Sequence, residues 1–168
     1  MHSDPKSQPR IYFAGPLFSA AEISFNAQVV KELEEFAQVF LPQRDGMLMT
    51  DLIEEGETPE VASLVVFNRD MDAIANADIL IAVLDGRSID EGVAFELGVA
   101  YSQSKKCIGL QTDSRRLAEW GNNPMISGAL ETVFHNSDEL ISFLKNQICL
   151  PKPTARLKQG HGNFNSST

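Results

Sequence analysis

Three carboxylates and two glycines lie close together in the middle of the chain, and their types are suited to chemistry. They are Asp90, Glu91 and Glu96, with Gly92 and Gly98 among them. A carboxylate near a helix N-terminus is stabilised as the anion, and a nearby glycine lets a ligand approach closely. Carboxylates act as nucleophiles in glycosidases, where a second acid protonates the leaving group. Glu96 is therefore a candidate nucleophile at a sugar carbon.

The alternative for Glu96 is a solvated glutamate on the outside of a helix, which is the default for this residue type. Its neighbours argue against that interpretation, because Val93, Phe95 and Leu97 make the segment strongly apolar and predict a largely buried helix. Only the position of Glu91 supports a catalytic role for it, and we interpret it as an acid in the first turn of the helix.

The segment that carries these residues is predicted to be a strand, a loop and a helix. Residues 79–84 form a short apolar run, typical of a strand buried on both faces of a parallel sheet. Asp85 and Gly86 end the strand, and Asp90 is placed to cap the helix. Because open parallel sheets bind ligands beyond the carboxyl ends of their strands, a small-molecule site is expected here.

Strands and helices alternate along the rest of the chain. The predicted strands span residues 10–14, 39–41, 79–84, 107–111 and 132–134. Ser19 and Glu22 have the spacing of a capping box before the first helix, and Thr58 with Pro59 begins a helix that extends to about residue 77. This alternation predicts an α/β domain. We expect a flavodoxin-like, doubly wound five-stranded parallel sheet of order 2-1-3-4-5, with helices on both faces and a site between strands 1 and 3.

Helical periodicity predicts which residues of the first two long helices pack in the core. They are Ile23, Ala27, Val30 and Leu33 in the first, and Val61, Leu64, Val65, Met71 and Ile74 in the second. Residues 42–46 have turn chemistry, and residues 47–57 are predicted to be a loop or to hold a short helix.

The overall composition predicts one domain and excludes several partners. The chain has 168 residues, of which 43% are hydrophobic and 22% are charged, and we place a single domain over residues 10–150. No apolar run approaches the roughly 20 residues that a membrane span requires, and the N-terminus lacks the apolar segment of a secretory signal. A net charge of -9 opposes binding to a nucleic-acid polymer.

Both ends of the chain are expected to lie outside the folded domain, and the two cysteines indicate the redox environment of the protein. We expect residues 1–9 to be flexible, and residues 151–168 to be a disordered tail because they are rich in Lys, Gly, Asn and Ser. Cys107 and Cys149 lack the spacing of a disulfide framework or a zinc site. This cysteine usage fits a cytoplasmic protein, and no metal site is expected.

Three segments, in this order along the chain, resemble the nucleoside 2-deoxyribosyltransferase family. They are Ile11-Tyr-Phe-Ala-Gly-Pro16, Asn68-x-Asp70 and Asp90-x-Gly92-x-x-x-Glu96-x-Gly98. The likeness spans roughly residues 10–143. It implies a pentosyltransferase that moves 2-deoxyribose between the nucleobases of 2′-deoxynucleosides, with free nucleobases as the second substrate. The reaction would pass through a covalent deoxyribosyl ester of Glu96 and would need neither a metal nor an organic cofactor.

The resemblance also implies roles for two residues outside the central segment. Asp70 would be the acid and base that handles the nucleobase proton, and Tyr12 would orient Glu96. Taken alone, Asp70 is equally well interpreted as part of a solvated polar face paired with Arg69. Tyr12 lies between two apolar residues on a strand, where a tyrosine of the core is the default.

The remaining site residues implied by the resemblance bind the substrate. Asp90, with Gly92 beside it, would bind the sugar hydroxyls, Phe18 would stack on the base and Gln43 would reach the base edge. Gly15 would line the site in the turn after the first strand. A phenylalanine such as Phe18, seen alone, more often packs in the core than stacks on a ligand.

The same family includes relatives that hydrolyse deoxynucleoside 5′-monophosphates, so an N-glycosidase acting on nucleosides or nucleotides is the alternative. Residues 123–130 are similar to a segment that those proteins lend to a neighbouring subunit. A carboxylate at Asp90 would repel a phosphate and accept a hydrogen bond from a free 5′-hydroxyl, although Ser88 and Ser127 remain able to bind a phosphate. We expect a homo-oligomer whose site is completed by a neighbouring subunit, with Asn123 as the candidate residue.

Two non-enzymatic functions are also compatible with an α/β fold. In a receiver-type switch, Asp85 would be the phospho-acceptor at the end of strand 3, but Gly15-Pro16 and His135 stand where such domains carry an acidic pair and a lysine. We therefore interpret Asp85 as structural. A nucleotide-binding module would be expected to carry a glycine-rich phosphate loop, and the sequence has none.

Overall fold

The structure is a computed structural model, and it describes residues 8–113, 115 and 121–149. The predicted C-terminal tail, most of the predicted flexible N-terminus and part of the loop after strand 4 lie outside the described residues. Within the described part of the chain, no helix is long and apolar enough to cross a bilayer.

Five parallel strands form one sheet in the order β2-β1-β3-β4-β5. The strands are β1 (Arg10–Ala14), β2 (Gln38–Phe40), β3 (Ile79–Val83), β4 (Lys106–Leu110) and β5 (Thr132–Phe134). The predicted order is confirmed. Because β1 and β3 are neighbours in the sheet, the loops that follow them lie at one edge of the sheet, as the switch-point rule requires.

Seven helices connect or follow these strands within the described residues. They are α1 (Ala20–Leu33), α2 (Pro42–Asp45), α3 (Met49–Glu54), α4 (Pro59–Asn76), α5 (Glu91–Ser102), α6 (Pro124–Ala129) and α7 (Ser137–Cys149). The short α2 replaces the turn predicted at residues 42–46, because Pro42 occupies the first helical position and Asp45 closes the turn by accepting from the Leu41 amide.

The local signals for helix starts are confirmed. Ser19 and Glu22 form a reciprocal capping box at α1, and the Thr58 hydroxyl accepts from the Val61 amide at α4. Asp90 caps α5 by accepting from the Val93 amide. Each signal depends only on residues within one turn, so the sequence is sufficient to locate it.

The core has two layers, one on each side of the sheet. Alternate residues of β1 enter different layers: Ile11 and Phe13 pack with α1 and α7, whereas Tyr12 and Ala14 pack on the side of α4 and α5. Successive side chains of a strand point to opposite faces. This alternation directs Tyr12 towards α5, the helix that carries Glu96.

Two predicted helix faces are partly wrong. In α1 the buried residues are Asn26, Val29, Val30 and Leu33, while Ile23 and Ala27 are exposed. In α4 the buried residues are Ala62 and Ile74, and the predicted Val61 and Leu64 are exposed. Apolar spacing alone did not fix the rotation of these helices, because apolar residues occur on more than one face.

Candidate active site

A buried tyrosine and a helix glutamate meet at the centre of the candidate site. The Tyr12 hydroxyl donates a hydrogen bond of 2.5 Å to Oε1 of Glu96. Tyr12 is fully buried, and its ring stacks on Phe40 with a centroid distance of 5.5 Å and an interplanar angle of 14°. Glu96 itself is half-buried on α5. The packed tyrosine therefore holds the glutamate carboxyl in place.

The surroundings of Glu96 disfavour its charged form. The net pKa of Glu96 is raised to about 7: burial is the largest cause, the Tyr12 hydrogen bond lowers this pKa, and the charges of Asp70 and Asp90 raise it. Burial, with the charges of Glu96 and Asp70, also raises the pKa of Tyr12 far above its usual value. Tyr12 thus keeps its proton and, as a neutral phenol, donates a hydrogen bond to the Glu96 carboxylate.

Asp70 supplies a second carboxyl with an unusual environment. It lies on α4, half-buried, and its Oδ1 is shielded from solvent without a hydrogen-bond partner among the described residues. Burial raises the pKa of Asp70, and the charge of Arg69 partly opposes this. The guanidinium of Arg69, the partner in the alternative interpretation of Asp70, lies over Phe40 at 5.7 Å and donates to the Asp45 carbonyl at 3.3 Å. A carboxyl with a raised pKa suits a general acid.

Asp90 and Gly92 form the N-terminal end of α5. Oδ1 of Asp90 accepts from the Val93 amide at 3.0 Å, and a Cβ at position 92 would lie 3.1 Å from this same oxygen. Glycine at position 92 therefore keeps space around the capping carboxylate. Asp90 contributes to the raised pKa of Glu96, so the structure brings Tyr12, Asp70, Asp90 and Glu96 together.

The turn after β1 is packed against a residue that the sequence analysis missed. Asn26 is buried on α1, and its Nδ2 donates to the Pro16 carbonyl at 2.9 Å and to Oε1 of Gln43 at 3.0 Å. A Cβ on Gly15 would lie 2.8 Å from Oδ1 of Asn26, so a residue with a side chain at position 15 would clash with Asn26. The available signal was an asparagine at helical spacing from Val30 and Leu33, on the buried face.

Phe18 and Asn123 occupy more open positions. Phe18 is 80% exposed and follows the turn that contains Gly15, where its amide donates to Glu22 at 3.1 Å. Asn123 caps the short helix α6, and its Oδ1 accepts from the Met125 amide at 2.9 Å. Helix α6 packs on α5, where Met125 and Gly98 line a shared apolar groove.

Asp85 has the structural role predicted for it. Its carboxylate accepts from the amides of Thr112 and Asp113 at 2.6 and 2.8 Å, and also from the Thr112 hydroxyl. These bonds tie the segment after β3 to the segment after β4. The contacts account for the carboxylate without a phospho-acceptor role, in agreement with the interpretation from sequence.

Comparison with known proteins decides the family. Residues 11–148 match the family described as nucleoside 2-deoxyribosyltransferase. The chain belongs to this family. The expected enzyme class, a pentosyltransferase of the nucleoside 2-deoxyribosyltransferase type, is confirmed by this membership.

Individual relatives agree with the family assignment. A nucleoside deoxyribosyltransferase from Limosilactobacillus fermentum is 22% identical over 143 residues, which cover 82% of this chain and 85% of the relative. A solved structure of a conserved protein from Enterococcus faecalis has a TM-score of 0.71 at 27% identity and covers 84% of this chain and 99% of its own. A solved structure of a 2-deoxyribosyltransferase from Bacillus psychrosaccharolyticus has a TM-score of 0.62 at 25% identity. The match covers 79% of this chain and 90% of the transferase chain.

Proposed function

We propose that this nucleoside 2-deoxyribosyltransferase family member transfers 2-deoxyribose between the nucleobases of 2′-deoxynucleosides by double displacement at Glu96. The observation that carries the proposal is the Tyr12 hydroxyl held 2.5 Å from the Glu96 carboxyl, with the carboxyl of Asp70 close enough to raise the pKa of Glu96. A nucleophile, its orienting group and a proton donor are the parts that a retaining glycosyl transfer needs.

The first displacement breaks the bond between the sugar and the departing base. A Glu96 oxygen attacks C1′ of the deoxyribose, and a C1′–O ester bond forms as the C1′–N bond breaks. The electron pair of the broken bond goes to the base nitrogen, and Asp70 gives its proton to the base. Asp70 is then a carboxylate, and the sugar is held as an ester of Glu96.

The second displacement returns the enzyme to its starting state. A nitrogen of the incoming base attacks C1′, the ester bond breaks and its electron pair returns to Glu96. Asp70 takes the proton that the incoming base loses. If water attacks instead, the same residues give free deoxyribose, so the exclusion of water from the site decides between transfer and hydrolysis.

Asp90 supports nucleosides over nucleotides as substrates. One oxygen of Asp90 caps α5 by accepting from the Val93 amide, and the second oxygen is left to accept from a sugar hydroxyl. A carboxylate in this position repels the phosphate of a 5′-monophosphate. Hydrolysis of deoxynucleosides or deoxynucleoside 5′-monophosphates with the same residues is the second candidate function.

We further propose that the enzyme is a homo-oligomer and that Asn123 completes the site of a neighbouring subunit. The support is an apolar surface on three helices, in which the rings of Phe67 and Phe95 lie 6.2 Å apart. The α4–α6 apolar surface consists of Val61, Leu64, Phe67, Phe95 and Met125, all exposed. Exposed apolar side chains of this number are typical of an interface between protein subunits, and Asn123 caps α6, the helix that carries Met125.

The deciding experiment incubates the protein with 2′-deoxyinosine and adenine and follows the products by chromatography. Formation of 2′-deoxyadenosine supports transfer, whereas hypoxanthine without 2′-deoxyadenosine supports hydrolysis. Mass spectrometry after incubation with 2′-deoxyinosine alone is expected to detect a deoxyribosyl group on the peptide that contains Glu96.

A pair of matched variants on α5 tests the nucleophile. Glu96→Gln is expected to lose both the product and the covalent adduct, while Glu91→Gln, the same substitution on an exposed side chain of the same helix, keeps both. Full activity in Glu96→Gln, or no reaction of the wild-type protein with any base or 5′-monophosphate, contradicts the proposed mechanism.

A further inference from the structure

Two side-chain amides link the turn after β1 to helix α2. Asn26, only 1% exposed, donates from Nδ2 to the Pro16 carbonyl at 2.9 Å and to Oε1 of Gln43 at 3.0 Å. Gln43 donates from Nε2 to the Ile23 carbonyl at 2.9 Å. The four groups form one continuous series of hydrogen bonds, which we call the Asn26–Gln43 relay.

The relay has a defined direction because a backbone carbonyl lies at each end. A carbonyl only accepts hydrogen bonds, so the Pro16 carbonyl requires the Asn26 nitrogen, and not its oxygen, on that side. The same nitrogen then faces Gln43, which must present its oxygen. The Gln43 nitrogen consequently faces the Ile23 carbonyl, and each amide has a single orientation that satisfies all partners.

The backbone that carries Gln43 is held independently of the relay. The Asp45 carboxylate accepts from the Leu41 amide at 2.9 Å, and Arg44 donates to the Val39 carbonyl at 3.1 Å and to Asp45. These bonds hold both ends of α2. Asn26 therefore controls the conformation of the Gln43 side chain and not that of its backbone.

Burial makes this control strict. Nδ2 of Asn26 uses both of its hydrogens, and its Oδ1 is buried without a hydrogen-bond partner in the described part of the chain, next to Gly15. A buried amide that rotates would set its oxygen against the Pro16 carbonyl and leave two donors unpaired, which is unfavourable. Gln43 is left with one free Nε2 hydrogen to offer to a ligand.

We propose that Asn26 is a positioning residue for nucleobase recognition, acting by holding the Gln43 amide so that its free N–H faces an acceptor atom on the base. The inference rests on the proposed function, in which Gln43 reaches the base edge. Asn26 itself does not touch the substrate. The group that the Gln43 N–H recognises is a hydrogen-bond acceptor, which is a ring nitrogen or a carbonyl oxygen of the base.

The substitution Asn26→Asp tests the relay because it keeps the size of the side chain and removes both donors. A carboxylate facing the Pro16 carbonyl and Oε1 of Gln43 repels both, and Gln43 has to turn its nitrogen towards it. We expect KM for adenine as acceptor to rise about 3- to 10-fold, the loss of one hydrogen bond to the base, with kcat at saturating adenine within about twofold of wild type.

A double-mutant cycle separates positioning from general destabilisation. If Asn26 acts through Gln43, then Asn26→Asp changes KM for adenine by less than about twofold in a Gln43→Ala background. Asn76→Asp is the matched control: it makes the same chemical change on an exposed side chain, which donates to the Asp72 carbonyl at 2.8 Å, and it is expected to leave KM and kcat unchanged. Thermal unfolding of each variant is measured alongside.

The outcomes distinguish failure of the relay from failure of the proposed function. If the wild-type protein forms neither 2′-deoxyadenosine nor hypoxanthine from 2′-deoxyinosine and adenine, the proposed function and the relay both fail. If the wild type is active but the KM effects of Asn26→Asp and Gln43→Ala multiply, or if Asn26→Asp lowers kcat alone, only the relay is overturned. Should Asn26→Asp not fold, Asn26→Ser enters the same cycle with the same expected coupling.

Discussion

Tyr12→Phe is the substitution whose effect follows most directly from the structure. It removes one hydroxyl, which donates to Oε1 of Glu96 at 2.5 Å, and it retains the ring that stacks on Phe40. The net pKa of Glu96 is about 7, because burial and the neighbouring Asp70 and Asp90 raise it by more than the Tyr12 hydroxyl lowers it. Without the hydroxyl, only the factors that raise this pKa remain.

The size of the effect follows from the strength of the lost hydrogen bond. A hydrogen bond to a charged group is worth about 1.5–3 kcal/mol, and at about 1.4 kcal/mol per unit the pKa of Glu96 rises by about 1–2 units. Glu96 attacks as the carboxylate, so activity is lost as the pH falls through its pKa. The ionised fraction at pH 7 is expected to fall from about one half to about 1–10%.

The assay is the pH profile of kcat/KM for deoxyribosyl transfer, which reports the ionisations of the free enzyme. The acid limb of Tyr12→Phe is expected to move up by about 1–2 pH units. The result is a loss of about 5- to 50-fold at pH 7 that shrinks to about twofold or less at pH 9. Tyr101→Phe, which removes a hydroxyl from an exposed tyrosine of α5, serves as the control with an unchanged profile.

An acid limb that stays in place in Tyr12→Phe refutes this reasoning. It means either that Glu96 is not the group that titrates or that the Tyr12 hydroxyl does not stabilise its charge. A uniform loss at every pH has a different meaning, since it indicates that Tyr12 positions Glu96 without changing its ionisation.

Three further predictions concern Asp70, the stability of the protein and its assembly. Asp70→Asn is expected to lower kcat about 10²- to 10⁴-fold for 2′-deoxyinosine and much less for 4-nitrophenyl 2-deoxyriboside, whose leaving group needs no proton; equal losses on both substrates contradict an acid role. The pKa of Glu96 is raised from 4.5 to about 7, mainly by burial, so the contribution of Glu96 to stability is complete below about pH 4.5 and is lost as the pH rises through about 7. Glu96→Gln is therefore expected to be more stable than wild type at pH 8, by about 1–2 kcal/mol after allowance for partial exposure, and equally stable at pH 4. Urea unfolding at both pH values measures the difference in stability. If the stabilities of the two proteins depend on pH in the same way, this prediction is wrong. Leu64→Asp, at a side chain that is 60% exposed, is expected to shift the protein to smaller species in light scattering after size-exclusion chromatography, whereas Asn76→Asp is not; an unchanged mass places the subunit interface elsewhere.

The outline of the fold is predictable from the sequence because its signals are local. The alternation of strands and helices requires a parallel sheet, and the capping residues Ser19, Thr58 and Asp90 each act within one helical turn. Motif residues such as Glu96 are also recognisable one by one. The rotation of α1 and α4 was only partly predicted, because it depends on which of several apolar residues meet the sheet.

The sequence by itself determined the motifs that resemble the family, the order of the five strands and the candidate acids, because each can be recognised from residues close together in the chain. The tertiary structure alone decided how those stretches meet. Tyr12 and Glu96 are 84 positions apart, and their hydrogen bond exists because β1 pairs with β3 and α5 packs on the face to which Tyr12 points. The relay from Asn26 to Gln43 likewise depends on α1 and α2 lying side by side, a contact for which no local sequence signal exists.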